Sequence, residues 1–253
     1  MIDLHCHLLP GIDDGPPDIA AALSLAEAQL RAGVRTVAAT PHVTPRFRTD
    51  AARVDEGVAG LREALRRARS PLTVVCGAEI DAIVAFDLPD EELSRLTLGG
   101  AGWLLLETPL VGVVPLEEIV ASLQARGFSI VLAHPERSPQ LQRDPASVAR
   151  MVRAGARTQV TAAALVGAFG RVVRKTAERL VDAGLAHVIA SDAHGAVTRP
   201  PGMRAPLERA GLGHAVEVLC EEHPARLLDG GGIPAAVRVR RHASLSRRLR
   251  LRR

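Results

Sequence analysis

Residues 180–194 read LVDAGLAHVIASDAH and contain, in order, the end of a helix, a glycine, an apolar run and a polar end. The same order occurs at residues 30–42, LRAGVRTVAATPH, and at residues 123–136, LQARGFSIVLAHPE. A glycine after a helix permits the left-handed turn that ends it, and the short apolar run indicates a buried strand. The repetition predicts a series of helix–turn–strand units.

Seven strands are predicted, most of them followed by a helical segment. The strands are residues 2–4, 36–39, 73–76, 103–106, 129–133, 157–160 and 187–190. The helical segments are residues 19–32, 51–68, 116–126, 145–154, 166–183 and 206–221. About seven such units favour an α/β fold with a closed or nearly closed parallel barrel inside a ring of helices; a doubly wound open sheet is the alternative.

The composition indicates an aliphatic core and a basic end. Of 253 residues, 47% are hydrophobic but only 2% are aromatic, with four Phe and no Tyr. The segment GGGIP at residues 230–234 predicts a domain over residues 1–234 and a flexible tail over residues 235–253. Eight Arg and no acid lie in residues 238–253, so the net charge of +4 becomes −4 for the rest of the chain.

This charge distribution limits the partners that the chain is expected to have. An acidic body argues against a nucleic-acid surface on the domain itself. The tail is either a solvated end or a contact for anionic lipid or an acidic partner. No oligomeric state follows from the sequence.

Cysteine usage and the N-terminal sequence favour a cytoplasmic protein. Three cysteines lie far apart without a Cys-X-X-Cys pair, which is typical of a reducing compartment. Neither a signal peptide nor an apolar run of ~18 residues is recognised. Cys6 lies between two histidines, and its side chain is expected to be a buried thiol on the opposite face of the strand.

Imidazole and carboxylate groups occur at the end of six of the seven predicted strands or just after it. They are His5, His7, Asp14 in the loop after the first strand, His42, Glu79, Glu107, His134, Asp192 and His194. The carboxyl ends of parallel strands share one rim of a barrel, so these side chains are expected to converge. Residues two apart on a strand also project from the same face.

Such a group of side chains predicts a metal centre. Imidazole and carboxylate without thiolate suit Mn, Fe or Zn, and suit Mg less well where His is abundant. Four carboxylates would repel one another unless cations neutralised them, so more than one ion is expected. Asp13, beside Asp14, is expected to cap a turn.

These residues resemble the PHP (polymerase and histidinol phosphatase) superfamily of metal-dependent phosphoesterases. The opening, MIDLHCHLLPGIDDG at residues 1–15, is similar to that of bacterial capsule-regulating tyrosine phosphatases of the CpsB/YwqE type. The motifs ATPH, GAEI, LLLETP, LAHPER, SDAHG, RPP and HPARLLDG follow in that family's order. The resemblance extends from residue 1 to about residue 230.

The resemblance implies a distorted (β/α)7 barrel with up to three metal ions, typically manganese. By this resemblance, all nine strand-end residues are expected to be metal ligands. Arg137 and Arg199 are expected to be catalytic residues that bind the substrate phosphate. Two positions depart from the family: Ser138 replaces an aromatic residue that would pack near Arg137, and His223 replaces an asparagine. Because Phe is scarce, the wall that meets a tyrosine ring is expected to be aliphatic.

The resemblance also implies a substrate and a partner. The expected reaction is hydrolysis of phosphotyrosine on a bacterial tyrosine autokinase that controls capsule or exopolysaccharide synthesis. A metal-bridging hydroxide would attack the phosphorus, with Glu79 as the candidate bridging carboxylate. The alternatives are a PHP phosphoesterase for a small phosphomonoester (histidinol phosphate or a nucleotide), a nuclease, and a metal-binding scaffold with a relic site. The complete ligand set argues against the scaffold.

Overall fold

The computed structural model describes residues 1–239, and the strands in this range pair in parallel. The strands are β1 (Ile2–Cys6), β2 (Thr36–Ala39), β3 (His42–Val43), β4 (Thr73–Cys76), β5 (Glu79–Asp81), β6 (Trp103–Glu107), β7 (Ser129–Ala133), β8 (Arg157–Thr161) and β9 (Val188–Ala190). Aliphatic and β-branched residues predominate in them, as expected for strands covered on both faces.

Helices alternate with the strands along most of the chain. They are α1 (Ile19–Arg31), α2 (Ala51–Arg67), α3 (Ala82–Asp87), α4 (Asp90–Arg95), α5 (Leu116–Ala125), α6 (Pro139–Arg143), α7 (Pro145–Arg153), α8 (Arg171–Asp182), α9 (Arg204–Arg209) and α10 (His223–Leu228). Short 3-10 turns lie at Leu98–Gly100, Pro135–Arg137, Ala162–Val166 and Gly213–Ala215, and a π turn at Val218–Glu222. No helix in residues 1–239 is both long enough and apolar enough to cross a membrane.

Aspartates cap the N-termini of α1 and α2, and glycines follow the C-termini of α5 and α8. The carboxylate of Asp18 accepts a hydrogen bond of 2.8 Å from the Ala21 backbone N–H at the start of α1, and Asp50 caps α2 in the same way. Each cap stabilises its helix by about 1 kcal/mol. Gly127 after α5 and Gly184 after α8 adopt φ of +95° and +73°. The predicted order of helix, glycine and strand is therefore confirmed at these positions.

The strands form two parallel sheets with the orders β1-β2-β4 and β3-β5-β6-β7-β8-β9. Beyond β9, Ala193 pairs with Cys6 of β1, and the Ala193 carbonyl accepts from the His7 backbone N–H at 2.9 Å. The Asp192 backbone N–H donates to the His5 carbonyl at 2.9 Å. An α/β fold with parallel sheets is confirmed, whereas closure into a seven-unit barrel stays a prediction.

Side chains of β6 alternate between two cores. Leu104 and Leu106 belong to the larger core, which packs between strands and helices, whereas Trp103 and Leu105 belong to a smaller core. The smaller core also contains residues of β1, β2, β7 and β9. Because successive side chains on a strand point to opposite faces, Glu107 continues the face of the smaller core. The polar strand ends therefore lie at the edge of an apolar interior.

Two predicted helices have wrong bounds. The helix predicted over residues 166–183 begins only at Arg171, because Gly167 and Gly170 adopt φ of +89° and +91°. The helix predicted over residues 206–221 is interrupted after α9, where Gly211 has a φ of +78°. The strands β3 and β5 are two and three residues long and were not predicted as separate elements.

Residues 235–239, which the sequence assigns to the tail, pack against the rest of the chain. The Ala235 carbonyl lies 3.0 Å from His187 Nε2, and the backbone N–H of Val237 donates to the Gly184 carbonyl at 2.9 Å. Val237 is buried. Residues 240–253, with seven of the eight tail arginines, lie outside the described residues, so the proposed tail contact stays a prediction.

Candidate metal centre

All nine strand-end side chains meet at one end of the sheets. Six of them are buried: His5, His7, Glu79, His134, Asp192 and His194. His42 and Glu107 are half-buried, and the Asp14 side chain is 46% exposed. The cluster therefore opens to solvent on the side of Asp14.

The ligand atoms form four overlapping groups, and within each group they lie within 4.8 Å of one another. The groups are His7, Asp14, His42 and His194; His5, Glu79 and His134; His5, His7 and Asp192; and His42, Glu79 and Glu107. Four residues belong to two groups each, so the groups describe one connected centre. Each group offers nitrogen and oxygen donors of the kind that divalent transition-metal ions bind.

Glu79 lies at the middle of this centre. Its Oε1 is 2.6 Å from His134 Nε2. Its Oε2 is 3.0 Å from His42 Nδ1 and 3.3 Å from both His5 Nε2 and His7 Nε2, yet it accepts no hydrogen bond although it is buried. A buried carboxylate oxygen without a donor is costly. A cation among these lone pairs would remove that cost.

The surroundings of Glu107 disfavour its ionised form, which is a second indication of a cation site. Burial raises the pKa of the Glu107 carboxyl to about 8, and the Glu79 and Asp81 carboxylates add to this rise. A divalent cation placed between such carboxylates reverses the effect, because it favours their ionised form. The donor set, its unpaired atoms and the repulsion at Glu107 all fit bound metal ions.

Two side chains fix the orientation of the first two histidines. The Asp13 carboxylate lies 2.7 Å from His7 Nδ1, and the Gln159 Oε1 lies 2.9 Å from His5 Nδ1. Each oxygen accepts a hydrogen bond from the Nδ1–H of its histidine, so Nε2 of each ring is left to face the centre. Asp13 also accepts from the Gly15 backbone N–H at 2.9 Å, which confirms that it caps a turn.

Gln159 and the role of Asp13 toward His7 were not predicted from the sequence. The Gln159 Oε1 also accepts from the His134 backbone N–H at 3.2 Å, and two donors require an oxygen at this position. A glutamine in the middle of the buried strand RTQVT was the signal that could have identified it. Buried polar side chains are usually satisfied by a specific partner.

Arg137 and Arg199 converge on one carboxylate oxygen at the edge of the centre. Asp192 Oδ2 lies 2.7 Å from Arg137 Nη1 and 2.5 Å from Arg199 Nη2, while Oδ1 faces His5 at 3.5 Å. Arg199 Nη1 is also 2.8 Å from His194 Nε2. Asp192 thus connects the two guanidinium groups to the centre, and both can reach an anion bound there.

Strained backbone is concentrated at the same place. His134, Asp192 and Arg199 adopt φ of +32°, +53° and +51°, and they are three of the four non-glycine residues with positive φ among residues 1–239. A left-handed conformation costs an L-residue roughly 1–2 kcal/mol. Such strain persists where the surrounding structure requires it, and it clusters at functional sites.

Two of the four phenylalanines lie beside the centre. The Arg137 guanidinium carbon lies 4.8 Å from the centroid of the Phe169 ring, so Phe169 supplies an aromatic face for Arg137 that Ser138 cannot. Ser138 instead caps α6. The Phe47 ring stacks on His42 with 5.6 Å between centroids. The position of these rings was not predicted, because both residues lie in loops.

Comparison with known proteins identifies relatives over most of the chain. Residues 1–222 match the family model described as "Capsular polysaccharide synthesis, CpsB/CapC". The chain is 38% identical over 203 residues to Tyrosine-protein phosphatase YwqE of Bacillus subtilis (strain 168), which covers 79% of each chain. It is 28% identical over 215 residues to Tyrosine-protein phosphatase CpsB of Streptococcus pneumoniae, covering 81% of this chain and 87% of the relative.

A solved structure also resembles this chain. It is described as belonging to YwqE from Bacillus subtilis and CpsB from Streptococcus pneumoniae, "unique metal-dependent tyrosine phosphatases". The similarity has a TM-score of 0.82 at 33% sequence identity and covers 95% of this chain and 100% of that chain. Since the family model and these relatives agree over most of its length, the chain belongs to the CpsB/CapC family.

Proposed function

We propose that this protein is a metal-dependent tyrosine-protein phosphatase, the activity for which its relatives YwqE and CpsB are named. One observation carries the proposal most strongly: two arginines converge on Asp192 beside a connected cluster of imidazoles and carboxylates. Hydrolysis of a phosphomonoester requires positive charge around the phosphoryl oxygens, and this arrangement provides it from two directions.

The proposal assigns the nine clustered side chains as ligands of up to three ions. Manganese is the proposed metal, and Fe, Zn or Mg also suit donors of this kind. When bound, the ions would stabilise the charge on the phosphoryl group and would activate the attacking water. Glu79 is the proposed bridging ligand, which is supported by the three imidazole nitrogens within 3.3 Å of its Oε2.

The protein's own groups position the substrate. Arg137 and Arg199 are proposed to bind the phosphate oxygens, and Asp192 holds both guanidinium groups in place before substrate binds. Asp13 and Gln159 keep the His7 and His5 rings oriented. The leaving group of phosphotyrosine is a phenolate, which needs less help from a general acid than an alkoxide does.

Neither Cys6 nor Cys220 fits the role of a nucleophile. Burial raises the pKa of Cys6 well above its usual range, and burial raises that of Cys220 to about 12. The thiolate is the nucleophilic form, so neither group is reactive near neutral pH. Cys6 contacts Gln29 and the Ala193 carbonyl and points away from the centre. This supports hydrolysis without a phosphocysteine intermediate.

The proposed setting goes further than the family description, which gives capsular polysaccharide synthesis. We propose that the substrate is a phosphotyrosyl protein, a bacterial tyrosine autokinase, in the cytoplasm, and that the reaction serves capsule or exopolysaccharide synthesis. The proposed framework is the closed (β/α)7 barrel of the PHP type. The pairing of Cys6 with Ala193 next to β9 supports this closure.

A substrate panel tests the proposal. Purified full-length protein loaded with Mn²⁺ is expected to release phosphate from a phosphotyrosyl peptide, to lose this activity in excess EDTA and to regain it when Mn²⁺ is restored. Treatment with a thiol-alkylating reagent should leave the rate unchanged. Full activity in EDTA would exclude the metal mechanism. A preference for histidinol phosphate or a nucleotide over the peptide would favour the small-substrate alternative.

A further inference from the structure

A cavity of about 520 Å³ opens beside the metal centre. Asp14, His194 and Arg199 contribute to its lining. Apolar side chains of two loops and of the start of α1 complete much of the wall: Pro16, Pro17, Ala21, Ala196 and Val197. Its size lies within the ~300–1,000 Å³ that is usual for small-ligand pockets.

The two loops that line this cavity, residues 14–17 and 194–199, are held close to proposed metal ligands. A Cβ atom on Gly15 would lie 2.6 Å from the His7 carbonyl oxygen, so only glycine allows this close approach. The His194 backbone N–H donates to the Arg199 carbonyl at 3.1 Å and closes the second loop. The apolar wall therefore has a defined position relative to the centre.

Part of the apolar wall is exposed. The side chain of Val197 is 88% exposed, although it belongs to a loop that also carries Arg199. A more apolar cavity of about 280 Å³ between α7 and α8 is lined by none of the nine clustered residues. The cavity at Val197 thus combines apolar surface with direct access to the proposed phosphate-binding arginine.

We propose that this cavity binds the phenyl ring of phosphotyrosine while the phosphate lies against Arg199 and the centre; the inference rests on the proposed function. In an aryl phosphate the ring is bonded to the ester oxygen, so the ring must occupy space directly beside the phosphate site. Burial of the ring against proline, alanine and valine side chains is favourable. An aliphatic phosphomonoester lacks such a ring and gains little from this wall.

Two substitutions test the ring site through substrate preference. Val197→Asn makes the wall polar at similar size, and Ala21→Leu fills part of the cavity from α1. Each is expected to raise KM for a phosphotyrosyl peptide by at least ~5-fold, because contacts in apolar pockets typically change discrimination by 10–200-fold. The kcat/KM for glycerol 2-phosphate should stay within about 2-fold. All assays use Mn²⁺-loaded full-length protein.

Val172→Asn is the matched control, because Val172 is 62% exposed on α8 and lies outside the cavity. This variant should leave KM for the peptide and kcat/KM for glycerol 2-phosphate unchanged. Unchanged KM for the peptide in Val197→Asn, or an equal loss for both substrates, would overturn the ring site while phosphotyrosine hydrolysis by the wild type still supported the proposed function. If the wild type hydrolysed glycerol 2-phosphate but not the peptide, both proposals would be wrong. If Ala21→Leu fails to fold, Val197→Asn decides alone.

Discussion

Buried histidines occur at both ends of the strands, and their surroundings differ. Before β9, His187 Nε2 donates to the Ala235 carbonyl at 3.0 Å, and its Nδ1 accepts from the Thr158 backbone N–H at 3.2 Å. His223 Nδ1 donates to the His187 carbonyl at 2.7 Å. Both ring nitrogens of His187 therefore have a backbone partner. This ring is satisfied as a neutral core residue.

At the opposite end, His5 and His7 are equally buried, but their partners are of a different kind. Each ring has one nitrogen held by an oxygen, from Gln159 or Asp13, and its other nitrogen faces the Glu79 carboxylate at 3.3 Å. Burial alone therefore does not distinguish a functional histidine. The difference lies in the partners of the second nitrogen: in His5 and His7 it faces the Glu79 and Asp192 carboxylates and the Nε2 of the other ring, not a backbone group.

The largest expected effect separates these two kinds of histidine. His42→Ala should lower turnover of a phosphotyrosyl peptide by ~10²–10³-fold, because it removes a proposed ligand and with it charge stabilisation of the transition state. Its thermal midpoint should change little, since His42 is half-buried. His187→Ala should show the reverse: a lower thermal midpoint and near-normal turnover of the folded protein. Equal turnover in the two variants would contradict the distinction between a metal-binding and a structural histidine.

The second-largest expected effect is a loss of stability in acid that comes from His187. Burial lowers the pKa of His187 to about 4, so protons bind the unfolded chain more strongly than the folded one below the ordinary value of 6.5. Stability contributed by the neutral ring is complete above pH 6.5 and is lost as the pH falls toward 4. The loss should approach about 3 kcal/mol.

Urea unfolding at pH 7 and at pH 4.5 measures this loss. His187→Gln, which cannot be protonated in this range, should show a smaller decrease in unfolding free energy over the same interval. An identical decrease in both proteins would assign the acid sensitivity to other groups.

Removing the Gln159 or Asp13 oxygen that orients a histidine should weaken Mn²⁺ binding moderately. Gln159→Met deletes the acceptor of His5 Nδ1, and Asp13→Leu deletes that of His7, so Mn²⁺ affinity should fall ~10–100-fold in each. Gln159→Glu keeps an acceptor oxygen and should retain tighter binding than Gln159→Met. Titration of the metal-free proteins with Mn²⁺ gives the affinities without reference to activity. Wild-type affinity in both deletions would contradict the orienting role.

The smallest expected effect concerns the ring beside Arg137. Phe169→Leu keeps an apolar side chain but removes a cation–π contact of about 0.5–1 kcal/mol, so KM for the peptide should rise about 2- to 5-fold. Metal content, measured by elemental analysis, should stay the same. A loss of metal instead would show that Phe169 supports the ligands and not the arginine.

Much of the centre could be predicted because local rules place its members. The period of two along a strand sets His5 and His7 on one face, and the shared rim of parallel strands brings their partners together. All nine predicted side chains do lie in one cluster. Gln159 could not be predicted in the same way, because its contact with His5 joins residues 154 positions apart.

The errors in the predicted helix bounds have a local cause. Apolar periodicity over residues 166–183 favoured one helix, but Gly167 and Gly170 occupy left-handed backbone that ends a helix. The short strands β3 and β5 carry His42 and Glu79 as their first residues. Strands of this length have too little pattern of their own to be recognised.

The parallel α/β organisation and the residues gathered at the strand ends are predictable from the sequence, because backbone geometry makes those features local. The folded structure was needed to identify the oxygens that orient the histidines, the packing of Phe169 on Arg137 and the cavity with an apolar wall beside Arg199. These contacts join segments distant in the chain. Their distances depend on how helices and loops pack, which no local pattern specifies.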